Sequence, residues 1–334
     1  MKFGFVPRRL TGNPSDVDPS RPYDEWFRDL ETVIKAAEQA GFEFMGNSGM
    51  QSLVHFARYA AIPTSLRFAN ETLTLPMLDP VQLAPAAAHV DQMLGGRLDF
   101  GVGAGYFLQD LEAAGLTRKD RVPKFVESIE IIKAMWTQDE VSYHGRYFNF
   151  DGLVTVVKPY QKPHPPIIIS SQAHGSAARA GRISDGICIA PAVGHTDVAA
   201  LARTFREAYA ETNNREPTYV NVRRDFFLGP NPKEASIQAG QNEEYLQFSA
   251  GHRYMVGRMQ ASTMVKLHLE PVRDDATDFA FCGTYQDMAE QFARVQEEAG
   301  LTHVTCSFYN LPDSLSACLE YLQGFGEEVI QKFR

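Results

Sequence analysis

The segment from residue 170 to residue 176, SSQAHGS, combines small and hydroxyl-bearing residues in the way that a ligand-binding loop requires. It follows the isoleucine run 167–169, which is typical of a strand buried on both faces, and it leads into a predicted helix at about 176–183. Small residues let a ligand approach the backbone closely, and the free N–H groups of a helix N-terminus attract anions. The pattern indicates a phosphate site, with an ordinary βα turn capped by hydroxyl groups as the alternative. The candidate residues are Ser170, Ser171, Gln172, Gly175 and Ser176.

Polar and glycine residues also follow the other predicted strands. These residues are Arg8, Asn47 with Ser48, Asn70, Glu71, Thr72, Gly103, Ala104, Gly105 and Tyr106. Glu71 is unusual because it lies within an apolar strand predicted for residues 66–75, where an unpaired carboxylate is costly to bury. We expect Glu71 either to pair with an arginine, Arg67 or Arg97, or to be directed at a ligand.

The sequence contains none of the motifs that would make the protein's own side chains the reactive groups. There are no paired carboxylates at adjacent strand ends, no G-x-S-x-G elbow and no H-E-x-x-H helix. The four cysteines are scattered without zinc-ligand spacing, so no metal site is expected. This pattern favours chemistry that is carried by an organic cofactor, with the protein supplying position and polarity.

The composition is that of an ordinary globular protein. The 334 residues carry a net charge of −9 and include no basic run, so we expect no nucleic-acid partner. No apolar stretch approaches the length of a membrane span, and the first ten residues do not resemble a signal peptide. We therefore expect a cytoplasmic enzyme without membrane contacts.

Strand and helix patterns alternate along the chain and give eight strand–helix units. This alternation predicts a single (β/α)₈ TIM-barrel domain over residues 1–334, with a site at the carboxyl ends of the strands. The competing fold is an open doubly wound sheet, which requires G-x-G-x-x-G after an early strand. The nearest candidate, residues 101–106, follows the fourth strand and has Tyr106 at the third glycine position, which disfavours that fold. Residues 231–279 break the alternation and are predicted to be an insertion before the last unit.

Several ordered motifs resemble those of the bacterial luciferase-like flavin monooxygenases, a family that also includes coenzyme F420-dependent oxidoreductases. The motifs are GRLDFGVGAGY at 96–106, KPYQKPHPP at 158–166, AARAGRISDG at 177–186, and CGT at 282–284 with AG at 299–300. The resemblance implies a barrel with an insertion, a homodimer, and a flavin across the carboxyl mouth. Its phosphate would lie at the 170–176 loop. Its ring would lie near Asn70, Glu71, Thr72 and residues 103–106, and a non-proline cis peptide is implied near Glu71–Thr72.

The chain departs from luciferase itself at two positions. The loop after the second strand reads Gly46-Asn47-Ser48-Gly49 where luciferases carry two histidines, and Ala104 stands where luciferase has a phosphate-binding arginine. Light emission is therefore not expected, and no catalytic base is carried over. Asn47 and Arg8 are our candidates for catalytic groups that face the substrate.

Three functions remain open from the sequence. The first is a two-component monooxygenase that uses reduced FMN from a separate flavin reductase, together with O₂, to oxygenate a small organic substrate, with the 231–279 insertion as a lid. The second is an F420-dependent hydride-transfer enzyme on the same barrel. The third is a flavin-binding barrel without catalytic activity.

Overall fold

A computed structural model describes residues 1–6, 22–105, 108–191, 193–241, 280–311 and 314–334. In chain order the strands are β1 (Lys2–Val6), β2 (Phe44–Asn47), β3 (Arg67–Asn70), β4 (Leu73–Thr74), β5 (Leu98–Gly103), β6 (Glu140–His144), β7 (Asn149–Val154), β8 (Ile167–Ser171), β9 (Gly186–Ile189), β10 (Tyr219–Leu228), β11 (Ala280–Gly283) and β12 (His303–Phe308). The α-helices are α1 (Tyr23–Ala40), α2 (Gln51–Tyr59), α3 (Pro80–Met93), α4 (Leu108–Ala113), α5 (Arg121–Thr137), α6 (His174–Ile183), α7 (His195–Asn213), α8 (Pro232–Gln241), α9 (Tyr285–Ala299) and α10 (Leu315–Glu328). Short 3₁₀ turns span Leu75–Met77 and Ile330–Phe333.

Eight of the strands form a closed parallel barrel, which confirms the predicted fold and excludes the open doubly wound sheet. Their order is β1-β2-β3-β5-β8-β9-β10-β12, and β12 pairs with β1 to close the ring. The helices surround this ring and bury their apolar faces against it, as α1 does with Trp26, Leu30 and Val33. The carboxyl ends of the eight strands, and the loops that follow them, therefore lie together at one end of the barrel, its carboxyl mouth.

Helix ends follow the signals in the sequence. The Asp79 side chain accepts a hydrogen bond from the Val81 N–H, and Pro80 takes the first helical position of α3. Thr284 and Asp287 form a reciprocal capping box at the start of α9. Gly300, in the left-handed conformation, ends the same helix after Ala299.

The third strand differs from its prediction. Strand β3 ends at Asn70, a cis peptide bond joins Glu71 to Thr72, and the chain resumes as β4, which pairs with β5. The non-proline cis peptide implied by the family resemblance is thus present. The apolar pattern predicted one continuous strand over residues 66–75, whereas the strand is interrupted at its polar residues Asn70, Glu71 and Thr72.

The predicted insertion is also more regular at its edges than expected. Residues 232–241 form helix α8, and β11, which was not predicted, pairs in parallel with the end of β10. The remainder, residues 242–279, lies outside the described residues, as does any lid formed there.

Polar side chains from several strands meet inside the barrel. Alternation along β10 points Tyr219, Asn221 and Arg223 inward, and they meet inward residues of other strands. Near the amino ends of the strands, Arg67 pairs with Asp99 at 2.6 Å. The outward residues of the same strands pack the apolar layer between barrel and helices.

Candidate functional site at the carboxyl mouth of the barrel

A cavity of about 220 Å³ opens where the carboxyl ends of the barrel strands meet. We call it the mouth cavity. Its lining residues are Ser48, Glu71, Thr72, Thr74, Met77, Gly105, Asp110, Ser170, Gln172, Cys188, Ala190, Pro191 and Arg223. Five of the residues predicted for the cofactor line it, namely Glu71, Thr72, Gly105, Ser170 and Gln172.

The 170–176 loop forms one edge of this mouth. Helix α6 begins at His174, two residues earlier than predicted, so Gly175 and Ser176 belong to its first turn. The Ser171 and Ser176 hydroxyl groups lie 2.5 Å apart and are hydrogen-bonded to each other, and both lie within hydrogen-bond distance of the Ala173 carbonyl. A Cβ atom at Gly175 would meet no atom within 4 Å, so the space beside the first turn of α6 is open at this residue. This geometry provides backbone N–H groups and a free approach for an anion.

The glycine loop after β5 forms a second edge. Gly105 has φ +77°, a conformation that favours glycine, and its carbonyl accepts a hydrogen bond from Arg121 Nη1 at 2.8 Å. A Cβ atom at Gly103 would lie 3.2 Å from the Thr72 hydroxyl. Ala104 is half-buried between the two glycines. Small residues therefore bring the backbone of this loop close to Thr72 and to the cavity.

Glu71 is buried at the floor of the mouth, and its arginine partner differs from both predicted ones. Arg223 Nη1 lies 3.6 Å from Glu71 Oε2, and the Thr305 hydroxyl donates to Oε1 at 2.6 Å. Arg67 pairs with Asp99 instead, and Arg97 donates to the Thr64 and Leu66 carbonyl groups. Burial raises the pKa of Glu71, while Arg223 and Thr305 act in the opposite direction.

Two predicted site residues point away from the mouth. Asn47 Nδ2 lies 3.0 Å from His55 Nδ1, and Asn70 Nδ2 donates to the Ser52 hydroxyl at 2.6 Å, both on helix α2. These side chains lie on the outer face of their strands because side chains of a strand alternate in direction. In this arrangement neither side chain is directed at the mouth cavity, and the roles of Asn47 at the substrate and of Asn70 at the cofactor stay predictions.

Ser48 and Arg223 line the mouth cavity, and neither was predicted as a substrate-facing group. The Ser48 hydroxyl donates to the Glu71 carbonyl, and Arg223 Nη1 lies 3.5 Å from the same hydroxyl. Arg223 also donates from Nε to the Ser307 hydroxyl at 3.0 Å. Arg223 was missed, although the alternation of polar residues along Tyr219–Leu228 is the signal that would have found it. The predicted residues Arg8 and Tyr106 lie outside the described part of the chain.

The structure offers no sign of a metal centre or membrane span in the parts it describes. No group of three or more His, Cys, Asp or Glu side chains within those residues is arranged to hold a metal ion. No helix within the same residues is long and apolar enough to cross a bilayer.

A closed parallel barrel with its cavity at the carboxyl mouth defines the TIM-barrel class of enzyme folds. The family model for luciferase-like monooxygenases matches residues 3–303, and the chain belongs to that family. The resemblance inferred from the motifs is thereby confirmed.

The relatives by sequence differ in the cofactor that they use. The chain is 34% identical over 205 residues to an FMNH₂-dependent dimethylsulfone monooxygenase of Pseudomonas putida, covering 55% of this chain and 54% of that one. It is 29% identical over 240 residues to an F420-dependent hydroxymycolic acid dehydrogenase of Mycobacterium tuberculosis, covering 66% and 64%. The match thus spans only part of each relative, and the family includes both FMN and F420 enzymes.

Solved structures share the fold over essentially the whole chain. The monooxygenase RslO1 from Streptomyces bottropensis superposes with a TM-score of 0.80 at 18% identity, with complete coverage of both chains. An F420-dependent secondary alcohol dehydrogenase in complex with an F420–acetone adduct gives 0.75 at 18% identity, covering 98% of each chain.

Proposed function

We propose that this protein is the oxygenase of a two-component system, using reduced FMN and O₂ to oxygenate a small organic substrate. The observation that carries the proposal is the junction of two features at one mouth. An open helix N-terminus at Gly175 lies beside a cavity lined by Glu71, Thr72 and Gly105. The monooxygenase relative that uses FMNH₂ supports the choice of FMN.

The residues present fit a phosphorylated flavin. The first turn of α6 offers N–H donors to a phosphate, and Gly175 leaves the approach open. We assign the phosphate end to Ser170, Gln172, Gly175 and Ser176, with Ser171 holding the Ser176 hydroxyl. Reduced flavin supplies the electrons that activate O₂, a reaction for which no side chain is suited.

The ring end is assigned to the floor and glycine edge of the mouth cavity. Thr72, Gly103, Ala104 and Gly105 form a close-packed surface without bulky side chains, where a planar ring has room. Glu71 borders the same space from below. Ser48 and Arg223 are then left to contact the substrate, in place of Asn47.

A separate flavin reductase is part of this proposal. A dinucleotide-binding fingerprint is not found in the sequence, so reduced FMN would be delivered by another protein. The protein's own task is to bind reduced flavin, shield it from water and orient the substrate.

The test compares cofactors directly. Purified protein is titrated with reduced FMN and with reduced F420 under anaerobic conditions, and then mixed with O₂ and a substrate panel. Micromolar binding of reduced FMN and oxygenated product in the presence of a flavin reductase is the expected result. Product formation with F420 alone, without O₂ consumption, would replace the proposal with the hydride-transfer function.

The F420 function is kept as the second candidate for one specific observation. The dehydrogenase relative that depends on F420 matches a longer part of the chain, 240 residues, than the FMNH₂-dependent one. Flavin binding without turnover of any panel substrate would instead favour the barrel without catalytic activity.

A further inference from the structure

The ion pair with Arg223 and the hydrogen bond from Thr305 account for only part of the surroundings of the Glu71 carboxyl group. Oε1 accepts a hydrogen bond from Thr305, and the Asn221 amide lies close enough to the carboxyl group to lower its pKa. Oε2 is nevertheless buried without a hydrogen bond of normal geometry within the described residues. Arg223 Nη1 lies 3.6 Å from Oε2, beyond hydrogen-bond distance. An atom placed as Cβ on Gly46 would lie 3.1 Å from Oε2, so a glycine at that position leaves space for the carboxyl group.

Glu71 also lies between two spaces. It borders the mouth cavity and, on its other side, a void of about 10 Å³ inside the barrel that Asp99, Tyr219 and Asn221 help to line. A void of that volume is close to the minimum for one water molecule. The carboxyl group is thus the acidic group at which the mouth meets the polar interior.

We propose that Glu71 holds a proton at Oε2 and donates it to the ligand bound in the mouth cavity. Thr305 and Arg223 are the positioning residues, because they hold Oε1 and face the charge that remains on the carboxylate. This assignment deepens the proposed function and rests on it.

The proton has a defined use in that reaction. With reduced flavin delivered as its monoanion, the balance is FMNH⁻ + O₂ + RH + H⁺ → FMN + ROH + H₂O, so one proton comes from elsewhere. The O–H bond at Oε2 breaks, its electron pair stays on the carboxylate, and the proton joins the oxygen atom that leaves as water. A proton from solvent then restores the acid.

The surroundings of Glu71 determine when it holds a proton. Within the part of the chain that the structure describes, the titratable or charged groups that face it are Arg223 and Tyr219 on β10, Asp99 on β5, Cys188 on β9 and Cys306 on β12. Burial, joined by the charge of Asp99, raises the pKa of Glu71, and Arg223 limits the rise. The ordinary value is 4.5, so the acid form persists above the pH at which exposed glutamates ionise.

The first test needs no cofactor. Infrared difference spectra of the full-length protein, recorded against pH, report the C=O stretch of a protonated carboxyl group. We expect a band that persists above pH 4.5, is absent in E71Q, and is retained in D110N, which removes the exposed carboxyl group on the cavity rim. A spectrum without any band sensitive to E71Q overturns the proposal.

The positioning residue Thr305 provides a second variant in case E71Q does not fold. The hydrogen bond from Thr305 to Oε1 lowers the pKa of Glu71. T305V removes that hydrogen bond and should raise the pKa, so the band should disappear at a higher pH than in wild type. T305S keeps the hydroxyl group and should restore the wild-type midpoint. An unchanged midpoint in T305V would contradict the assigned role.

The activity of the FMN-loaded protein tests the donation step. E71Q should lower kcat by about 10²-fold while the dissociation constant of reduced FMN changes less than about threefold. An E71Q variant with the wild-type kcat and pH profile overturns the donor role, even if the infrared band is present. If wild-type protein fails to oxygenate with FMN, the proposed function fails and the donor role with it, whereas the infrared band still decides whether Glu71 holds a proton.

Discussion

At Gly175, ligand binding can be changed by substitution without a loss of folding stability. It lies in the first turn of α6, and a side chain there meets no neighbour within 4 Å. An acidic side chain at a helix N-terminus stabilises the helix, but it repels a phosphate at the same position.

We therefore predict that Gly175→Asp weakens the binding of reduced FMN at least about tenfold without loss of stability. Gly175→Ala is the matched control, because it adds the Cβ atom without the charge and should bind nearly as wild type does. Binding is measured by anaerobic titration and stability by urea unfolding. Equal affinity of the two variants would refute the phosphate assignment to this loop.

The elevated pKa of Glu71 also predicts how stability depends on pH. A group with a raised folded-state pKa binds more protons in the folded than in the unfolded protein. Its contribution is fully present below its unfolded value of 4.5 and is lost as the pH rises through its folded value.

We accordingly expect the difference in unfolding free energy, wild type minus E71Q, to decrease as the pH rises above the ordinary value of 4.5. Urea unfolding at several pH values measures this difference. A difference that stays constant or increases over the same range would contradict a raised pKa for Glu71.

Residue direction, more than residue type, limited what the sequence could show of the site. Glu71 and Asn70 are neighbours, yet the Glu71 carboxyl group points into the barrel and the Asn70 amide points at α2. The sequence alternation fixes that neighbours point in opposite directions, but not which one faces inward. The partner Arg223 is 152 positions away from Glu71, so only the closed barrel reveals the pair.

At the scale of elements, the end of β3 packs against β5 at a point where only a glycine fits. A Cβ atom on Gly101 would lie 1.7 Å from the Asn70 carbonyl oxygen, a backbone atom that cannot move without its strand. The chain continues from Asn70 into Glu71 and Thr72, so the same contact supports the floor of the mouth.

Gly101→Ala should therefore destabilise the protein by about 3 kcal/mol or more and reduce flavin binding with it. Gly240→Ala serves as the control, because that glycine lies in helix α8 with no atom within 4 Å of an added Cβ, and alanine favours a helix. Urea unfolding of both variants measures the effect. Similar stabilities for the two variants would show that β3 can shift to accommodate the methyl group.

Most of the elements could be predicted because their limits are written locally. Pro80, which follows the N-cap residue Asp79, begins a helix, and Gly300, which follows Ala299, ends one. Both signals are recognisable from a few neighbouring residues. Strand β11 was missed because four residues, AFCG, carry too little periodicity and are stabilised by pairing with β10. The interruption of the third strand was indicated by family resemblance rather than by its own apolar pattern.

For the molecule as a whole, the homodimer remains a prediction, and one exposed apolar surface is suited to it. Tyr23 begins α1, Met50 directly precedes α2, and Val54 lies within α2 and is 71% exposed. The Tyr23 hydroxyl lies 3.4 Å from His55 Nε2, which brings the start of α1 to α2. Exposed apolar side chains that group together are typical of protein interfaces.

If a second copy covers this surface, Val54→Glu should shift the protein from dimer to monomer in sedimentation equilibrium. Val156→Glu is the control, because that valine is 90% exposed at a different position, after β7, and the dimer should persist. A monomeric wild-type protein would refute the dimer itself. If the Val54→Glu variant remains dimeric, the interface lies on another surface.

The pairing of β11 with β10 has a consequence for how this barrel can diverge. Helix α8 and β11 lie on either side of residues 242–279 in the chain, yet Ala235, Ala239 and Ala280 pack together. Phe227 of β10 and Tyr309 belong to the same small core. The two points where that segment leaves and re-enters the described structure are thus both packed against the end of β10. Barrel closure is completed by β10, β12 and β1 without it. We therefore expect that the segment between α8 and β11 can be exchanged for one of different length and chemistry while the eight-stranded ring is preserved.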